Sequence, residues 1–293
     1  PATLEKFIRW GANRYPSERS MLVLWNHGGG AFANPGDGIK SFCSDDQARS
    51  TLTLTSLAQV AERVADQQRF DVIGLDMCLL GHVEVAHQLA PLADYMVASE
   101  KLEPGMGWDY QALAWRLTND PTLAPAALAR SIAVDYQSYY ADMTLDETTQ
   151  SAIDLRGFDK ALLPALNRLA DHLREGLADR TIYGGVKAAL GEAYRLSAPV
   201  RQETSAVDLG LALLALSREY DLPKPLREEA AAILKTYRAI VLENRTTIAS
   251  NVAYTGLKIY FNPDGYKPIY ADGSRQSFGT QAWNQFLLAY HSK

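Results

Sequence analysis

Cysteine is scarce in this chain, which has only Cys43 and Cys78 among its 293 residues. Two thiols cannot make a framework of several disulfides, and they cannot by themselves supply the four ligands of a structural zinc site. Long apolar runs are also absent, since no stretch approaches the roughly 20 residues that span a membrane. These absences argue against a disulfide-rich scaffold and a membrane span, and they leave each thiol to be judged by its own surroundings.

Positive charge is in short supply as well. The chain has 29 Lys and Arg residues against 34 Asp and Glu residues, a formal net charge of −5, without a cluster of basic residues. This balance argues against a nucleic-acid partner. Residues 1–16 have the pattern of a helix and not of a secretion signal, so we expect an exported form to have lost its signal already.

What is present is an alternation of predicted strands and helices, in a chain that is 47% hydrophobic and 22% charged. The runs 21–26 and 70–78 are rich in Val, Leu and Ile, which predicts buried strands of a parallel sheet. Between them, 55–68 has apolar residues at helical spacing, with Thr55 or Ser56 as the predicted N-cap. Strand, helix and strand together predict a βαβ crossover and an α/β fold.

The remaining chain continues this alternation and then becomes mostly helical. The further predicted elements are helix 83–93, strand 95–100, helices 112–117 and 125–143, strand 148–155, helices 158–178, 185–197, 207–219 and 226–243, strand 254–262 and helix 281–291. No repeat, low-complexity segment or linker composition divides them. We therefore predict one domain over 1–293, in which 156–293 is a helical elaboration with a closing strand and helix.

The segment LWNHGGGAF places His27 at the end of the first predicted strand, directly before three glycines. An HGGG loop in an α/β-hydrolase serves the serine of a G-x-S-x-G elbow, and this chain contains no such motif. GGGAFA also fits the dinucleotide pattern G-x-G-x-x-A, but that pattern needs a helix to open at once, and NPGDG follows instead. Both interpretations fail, so His27 needs a partner elsewhere.

Cys78 is the candidate partner, because it ends the strand that should lie parallel to the His27 strand. Sites in open parallel sheets form at the carboxyl ends of the strands, so both side chains are expected at one edge. A nearby imidazole can take the proton of a nucleophilic thiol. The amides of Gly28 and Cys78 are candidate donors to an oxyanion. The alternative is a small buried cysteine and an ordinary loop histidine.

Two blocks about 50 residues apart, LWNHGGG and DMCLLGHVEVAHQLAPLADYMVASEKLEPGMGWDY, resemble the clostripain family of cysteine peptidases, peptidase family C11. The segments 42–61, 151–155, 256–262 and 283–290 resemble further parts of that family. The resemblance implies a caspase-like three-layer sandwich, with a mainly parallel sheet between helices. The family's sheet usually begins with a strand upstream of TLEKFIRWGA, so we expect that strand to be missing here, which leaves a sheet edge that another chain could pair with.

The resemblance also implies residue roles. His27 and Cys78 would be the catalytic dyad, Gly28 and Cys78 would line the oxyanion hole, and Asp76 would select a basic residue at P1. Asp76 is expected on the same side of its strand as Cys78, where a carboxylate selects Arg or Lys by charge; the alternative is a structural cap of the turn. Some relatives have a second acidic residue where this chain has Met106. The nearby acids that would take over its role are Glu100, Glu103 and Asp109.

Members of that family are often activated by self-cleavage between the dyad residues, where Lys40 and Arg49 are the candidate sites in this chain. Calcium dependence is also known in the family, but the acidic pair Asp45 and Asp46 lacks the spacing of a recognised calcium loop. We therefore assign no metal and no cofactor. His82 and His87, expected on the helix after Cys78, are read as non-ligands, and Cys43 as structural.

The resemblance favours a secreted or cell-envelope protein that acts on peptides or proteins, without a nucleic-acid partner and of unknown oligomeric state. The leading prediction is a cysteine endopeptidase that uses His27 and Cys78. The alternatives are a catalytically silent caspase-like binding module and a peptidase with relaxed P1 specificity.

Overall fold

A computed structural model describes residues 1–30, 43–45, 47, 50–64, 69–141, 143, 148–197, 205–247, 254–271 and 278–293. In chain order its strands are β1 Met21–Trp25, β2 Ser44–Asp45, β3 Ser50–Thr51, β4 Phe70–Asp76, β5 Ala93–Ala98, β6 Thr149–Asp154, β7 Ala206–Asp208, β8 Val241–Thr246 and β9 Lys258–Tyr260. Its α-helices are α1 Ala2–Arg14, α2 Leu54–Val64, α3 Val83–Leu89, α4 Tyr110–Asn119, α5 Pro125–Ala141, α6 Leu155–Gly157, α7 Leu163–Gly176, α8 Arg180–Leu196, α9 Leu209–Arg218, α10 Lys224–Ile240 and α11 Ala282–His291.

The main sheet has five strands in the order β1-β4-β5-β6-β8. β1 pairs parallel with β4, and β4 pairs parallel with β5, as the predicted crossover requires. β6 is antiparallel to both of its neighbours, so it alone runs against the common direction. Two helices, α4 and α5, separate β5 from β6, and the chain re-enters the sheet at the edge where β5 ended. The result is the mixed, mainly parallel sheet of the predicted fold class.

Helices and aromatic side chains cover both faces of this sheet. Ile73 and Leu75 of β4 pack into a large core that continues through the C-terminal helices. Val72, on the opposite face, packs into a second cluster with Trp108 and Tyr136. Adjacent residues of a strand face opposite sides, so burial on both faces makes the sheet the middle of three layers.

The segment after α10 differs from its prediction. The helix expected over 226–243 ends at Ile240, and β8 begins at Val241 and pairs with β6. The six residues VLENRT are all only partly buried and show no two-residue alternation, which is why the pattern did not indicate a strand. The strand expected over 254–262 is β9, which pairs with β7 in a small separate sheet.

Two local predictions near the site were wrong. Helix α2 begins at Leu54, and its N-cap is Thr53, whose hydroxyl oxygen accepts from the Ser56 amide at 3.0 Å. His82 does not lie on a helix: it is the fully buried residue directly before α3. Within the part of the chain that the structure describes, no helix is long and apolar enough to cross a bilayer.

Candidate active site

The strand register brings the two predicted site residues to one edge of the sheet. In the parallel pairing of β1 with β4, Trp25 lies opposite Asp76, and His27 and Cys78 each follow two residues later. Both residues line one open cavity of about 530 Å³ at the carboxyl ends of these strands. The residues lining this cavity are Trp25, Asn26, His27, Ser44, Asp76, Met77, Cys78, Glu103, Pro104 and Gly105.

Asn26 ties the exposed His27 segment to the neighbouring loop. Its side-chain oxygen accepts from the His27 amide at 2.6 Å and from the Ser44 amide at 3.1 Å. Its side-chain nitrogen donates to the Ser44 carbonyl oxygen at 3.2 Å. Asn26 therefore fixes the backbone that carries the histidine, a role that the sequence reading did not identify.

The Cys78 thiol is half-buried and is held by the backbone of Glu103. The Glu103 amide donates to Sγ at 3.2 Å, and Sγ lies 3.7 Å from the Glu103 carbonyl oxygen. Leu79 adopts a positive φ of 60°, and its amide donates to the Lys101 carbonyl oxygen at 2.9 Å. These contacts present the thiol at the cavity wall, and no hydrogen bond joins it to the His27 ring within the described residues.

Gly28 packs directly against the backbone of Cys78. A Cβ at position 28 would lie 2.2 Å from the Cys78 carbonyl oxygen and 3.1 Å from its amide nitrogen. Real Cβ atoms do not approach backbone so closely, so any other residue would displace one of the two segments. The first glycine of HGGG therefore allows the histidine loop to approach the cysteine turn.

Asp76 is 2% exposed and organises the segment that follows β5. Its Oδ2 accepts from the Trp108 amide at 2.9 Å and from the Tyr110 hydroxyl at 2.6 Å. Burial and the neighbouring Asp76 raise the pKa of Tyr110, so its hydroxyl stays protonated and donates. Gly107, with a φ of 69°, lies against the same oxygen. Asp76 thus anchors a turn and also lines the cavity.

The acidic residues near Met106 occupy different places relative to the cavity. Met106 is 51% exposed and does not line the cavity. Glu100 is buried and does not line the cavity, and its carboxyl group accepts a hydrogen bond from the Gly256 amide. Asp109 caps α4 by accepting from the Ala112 amide at 2.9 Å. Among these three acids Glu103 lines the cavity, because the same backbone that holds the thiol carries it.

The remaining candidates lie apart from this chemistry. Burial raises the pKa of Cys43 to about 11, and its Sγ contacts the Met77 sulfur at 3.5 Å, as suits a structural thiol. Fully buried His82 lies 3.4 Å from the Glu84 carboxylate. The described residues contain no group of three or more His, Cys, Asp or Glu side chains placed to hold a metal ion. The predicted Asp46, Lys40 and Arg49 lie outside the described residues.

The chain is similar to known proteins in sequence and in fold. The model of the Clostripain family matches residues 1–257. Clostripain from Hathewaya histolytica is 29% identical over 126 residues, which cover 40% of this chain and 24% of that protein. The match thus spans about a quarter of that curated relative.

Two solved structures share the fold at low identity. A secreted C11 cysteine protease from Bacteroides thetaiotaomicron, in complex with an irreversible peptide inhibitor, has a TM-score of 0.67 and 18% identity and covers 100% of this chain and 78% of its own. An inactive zymogen C11 protease from Parabacteroides distasonis has a TM-score of 0.61 and 18% identity, and the match covers 98% of this chain and 75% of that one. At this identity the likeness establishes the architecture.

Proposed function

Because this chain belongs to the clostripain family, we propose that it is a cysteine endopeptidase with Cys78 as nucleophile and His27 as general acid and base. One observation carries the proposal: His27 and Cys78, from two neighbouring parallel strands, line one cavity at the carboxyl edge of the sheet. A substrate carbonyl in that cavity can be reached by the thiol and the imidazole at once.

The reaction then proceeds in two halves. The Cys78 thiolate forms a C–S bond to the scissile carbonyl carbon, and the carbonyl oxygen gains negative charge beside the amides of Gly28 and Cys78. His27 donates a proton to the leaving amine as the C–N bond breaks, which leaves a thioester. Water, deprotonated by His27, attacks this thioester, and the thiolate departs with the C–S electron pair.

The division of labour between His27 and Cys78 follows from their contacts. The described partners of the thiol are backbone groups of Glu103, without a hydrogen bond to the imidazole. His27 is exposed and lines the same cavity, where it is open to a leaving amine. Its main task in this mechanism is therefore protonation of the leaving group: the Cys78 thiol gives its proton to solvent, and the imidazole takes up from solvent the proton that it later donates.

Asp76 is proposed to select a basic P1 side chain. It lines the cavity two residues before the nucleophile, and the hydrogen bonds that its carboxylate accepts from the Trp108 amide and the Tyr110 hydroxyl both go to Oδ2. A buried carboxylate favours a bound cation because the cation replaces the solvation that the carboxylate has lost. Arg and Lys side chains carry that cation.

Fluorogenic peptides that differ only at P1 test this selection. We expect Arg and Lys peptides to be cleaved at least about tenfold faster, in kcat/KM, than the norleucine peptide. Asp76→Asn should remove most of that preference, whereas Asp159→Asn, at an exposed position that does not line the cavity, should keep it. Equal rates for the three peptides with the unmodified protein would remove Asp76 from the specificity role.

Self-cleavage between His27 and Cys78 is a further part of the proposal. One similar structure is described as an inactive zymogen, and Lys40 and Arg49 are basic residues between the dyad in the sequence. We expect incubation to cleave the chain after Lys40 into two fragments, which mass spectrometry would identify. The variants Lys40→Ala and Cys78→Ala should remain intact. Cleavage after Arg49 instead would assign the processing site to Arg49, and cleavage of Cys78→Ala would refute self-cleavage.

A further inference from the structure

The turn that carries Cys78 is held between the end of β5 and the small sheet of β7 and β9. On one side of the turn, the Gly81 amide donates to the Ser99 carbonyl oxygen at 2.7 Å. On the other side, the Lys258 amide donates to the Gly81 carbonyl oxygen at 2.8 Å. The position of the thiol therefore depends on how firmly the end of β5 and the small sheet are held together.

Glu100 is the side chain that connects these two parts. Its backbone packs against Gly81, where a Cβ would lie 2.9 Å from the Glu100 amide nitrogen. Its side chain is fully buried, and one carboxyl oxygen accepts from the amide of Gly256, two residues before β9. Three residues after Glu100, the Glu103 amide donates to Cys78 Sγ at 3.2 Å. The same short segment therefore contacts the turn, the small sheet and the thiol.

The second carboxyl oxygen of Glu100 faces another buried carboxyl group. This oxygen, Oε2, is shielded from solvent and receives no hydrogen bond from a donor among the described residues, and its neighbour is Asp208. Asp208 is also fully buried, and it accepts from the Leu211 amide at 2.8 Å, the Thr255 amide at 2.7 Å and the Thr255 hydroxyl at 2.6 Å. Two ionised carboxyl groups would repel each other here, whereas a proton on Oε2, donated to Asp208, satisfies both.

The proton belongs to Glu100 because Asp208 has more donors around it. Hydrogen bonds to an ionised carboxyl group favour its charged form, and Asp208 accepts three against one for Glu100. Burial and then the charge of Asp208 raise the pKa of Glu100 well above its ordinary value. Lys258 and the Gly256 amide oppose that shift without cancelling it. Glu100 is therefore neutral and donates, and Asp208 is ionised and accepts.

From these contacts we propose that Glu100 is a positioning residue for the nucleophile: as a neutral acid it donates to Asp208 and so fastens the small sheet to the segment that holds Cys78. The inference rests on the proposed peptidase function for the role of Cys78. It adds to that function a residue that touches neither the substrate nor the reacting atoms.

Glu100→Gln and Asp208→Asn should have different outcomes, although each replaces one buried carboxyl group by an amide of the same shape. The amide of Glu100→Gln can accept from Gly256 and donate to Asp208, so kcat should stay within about threefold of the unmodified protein. Asp208→Asn turns an acceptor into a donor that faces other donors, so kcat should fall by about tenfold or more while KM changes by less than about threefold. Equal effects of the two variants on kcat, or a loss confined to Glu100→Gln, would overturn the inference.

Alkylation of Cys78 by iodoacetamide measures its positioning without a peptide. Displacement of the Glu103 amide leaves the thiolate less stabilised, so the rate at about pH 7 should fall about tenfold in Asp208→Asn and stay within about threefold in Glu100→Gln. Leu173→Ala is the control, because it opens a void in the core at α7 and lowers thermal stability but should not change this rate. An equal loss of reactivity in Leu173→Ala would overturn the inference by reducing the effect to general destabilisation.

The pH dependence of unfolding tests the proton on Glu100 separately. The groups that face Glu100 are Asp208 of β7, Lys258 of β9 and Tyr237 of α10, whose own raised pKa keeps it protonated. Between the unfolded and the folded pKa of Glu100, the folded protein binds one proton more than the unfolded chain, so its stability falls as the pH rises. Glu100→Gln lacks this loss.

We therefore expect the melting temperature of Glu100→Gln, minus that of the unmodified protein, to increase by about 3 °C or more from about pH 5 to about pH 8. A difference that stays constant or decreases would overturn the neutral state of Glu100. Neither alkylation nor unfolding depends on turnover. If both followed the expected order in a protein that cleaves no peptide, the positioning of Cys78 would be supported and the peptidase function refuted.

Discussion

Replacement of Cys78 by alanine is expected to lower peptide hydrolysis by about 10⁴-fold or more, to the limit of detection. The variant loses the atom that forms the covalent bond, and no other described side chain in the cavity is a thiol. The side chain is small and half-buried, so its loss should leave the fold intact. The measurement is kcat/KM on the peptide that the unmodified protein cleaves best, with circular dichroism of both proteins.

Cys43→Ala is the matched control for that experiment. Burial holds the Cys43 pKa at about 11, so this thiol is not ionised at neutral pH and is a poor nucleophile. We expect the control to keep its hydrolysis rate within about threefold of the unmodified protein. Hydrolysis that survives in Cys78→Ala and disappears in Cys43→Ala would reverse the assignment of the two cysteines.

Replacement of His27 by alanine is expected to lower hydrolysis of an amide substrate by about 10²-fold to 10⁴-fold. The amine cannot leave readily without a proton, and His27 is the histidine among the residues that line the cavity. In kcat/KM, which reports acylation and not the later attack of water, an activated ester with the same acyl part should lose much less, because its leaving group needs no proton. The ratio of amide to ester rates therefore reports the acid role directly.

His172→Ala serves as the control for the histidine, since that residue is exposed, pairs with Glu229 and does not line the cavity. It should leave both rates and their ratio unchanged. If His27→Ala slowed ester and amide to the same degree, protonation of the leaving amine would not be its main task, and activation of the thiol would take its place.

The sequence predicted which two residues meet at the carboxyl edge of the sheet more fully than it predicted the sheet around them. The apolar runs ending near Trp25 and Asp76, with a helix between them, were enough to predict a parallel pair whose ends present His27 and Cys78 together. That inference depends only on local patterns and on the rule that sites form at the carboxyl ends of parallel strands. The structure retains both features.

Features that depend on distant parts of the chain were not predictable in this way. The direction of β6 is decided by the pair of helices before it, and β8 is decided by pairing with β6 and not by its own pattern. The choice of Glu103 over Glu100 and Asp109 as a cavity residue depends on which backbone meets the Cys78 thiol. Sequence proximity alone treated these three acids as equivalent.

The central claim is that Cys78 is a nucleophile beside a pocket for a basic side chain, and covalent labelling tests it most directly. The protein is treated with a peptidyl-arginine chloromethyl ketone, and the adduct is located by mass spectrometry of its peptides. The account predicts one adduct, on Cys78, that forms faster than with the matched norleucine reagent and is absent from Cys78→Ala. An intact protein without an adduct, or an adduct on Cys43 that persists in Cys78→Ala, would contradict it.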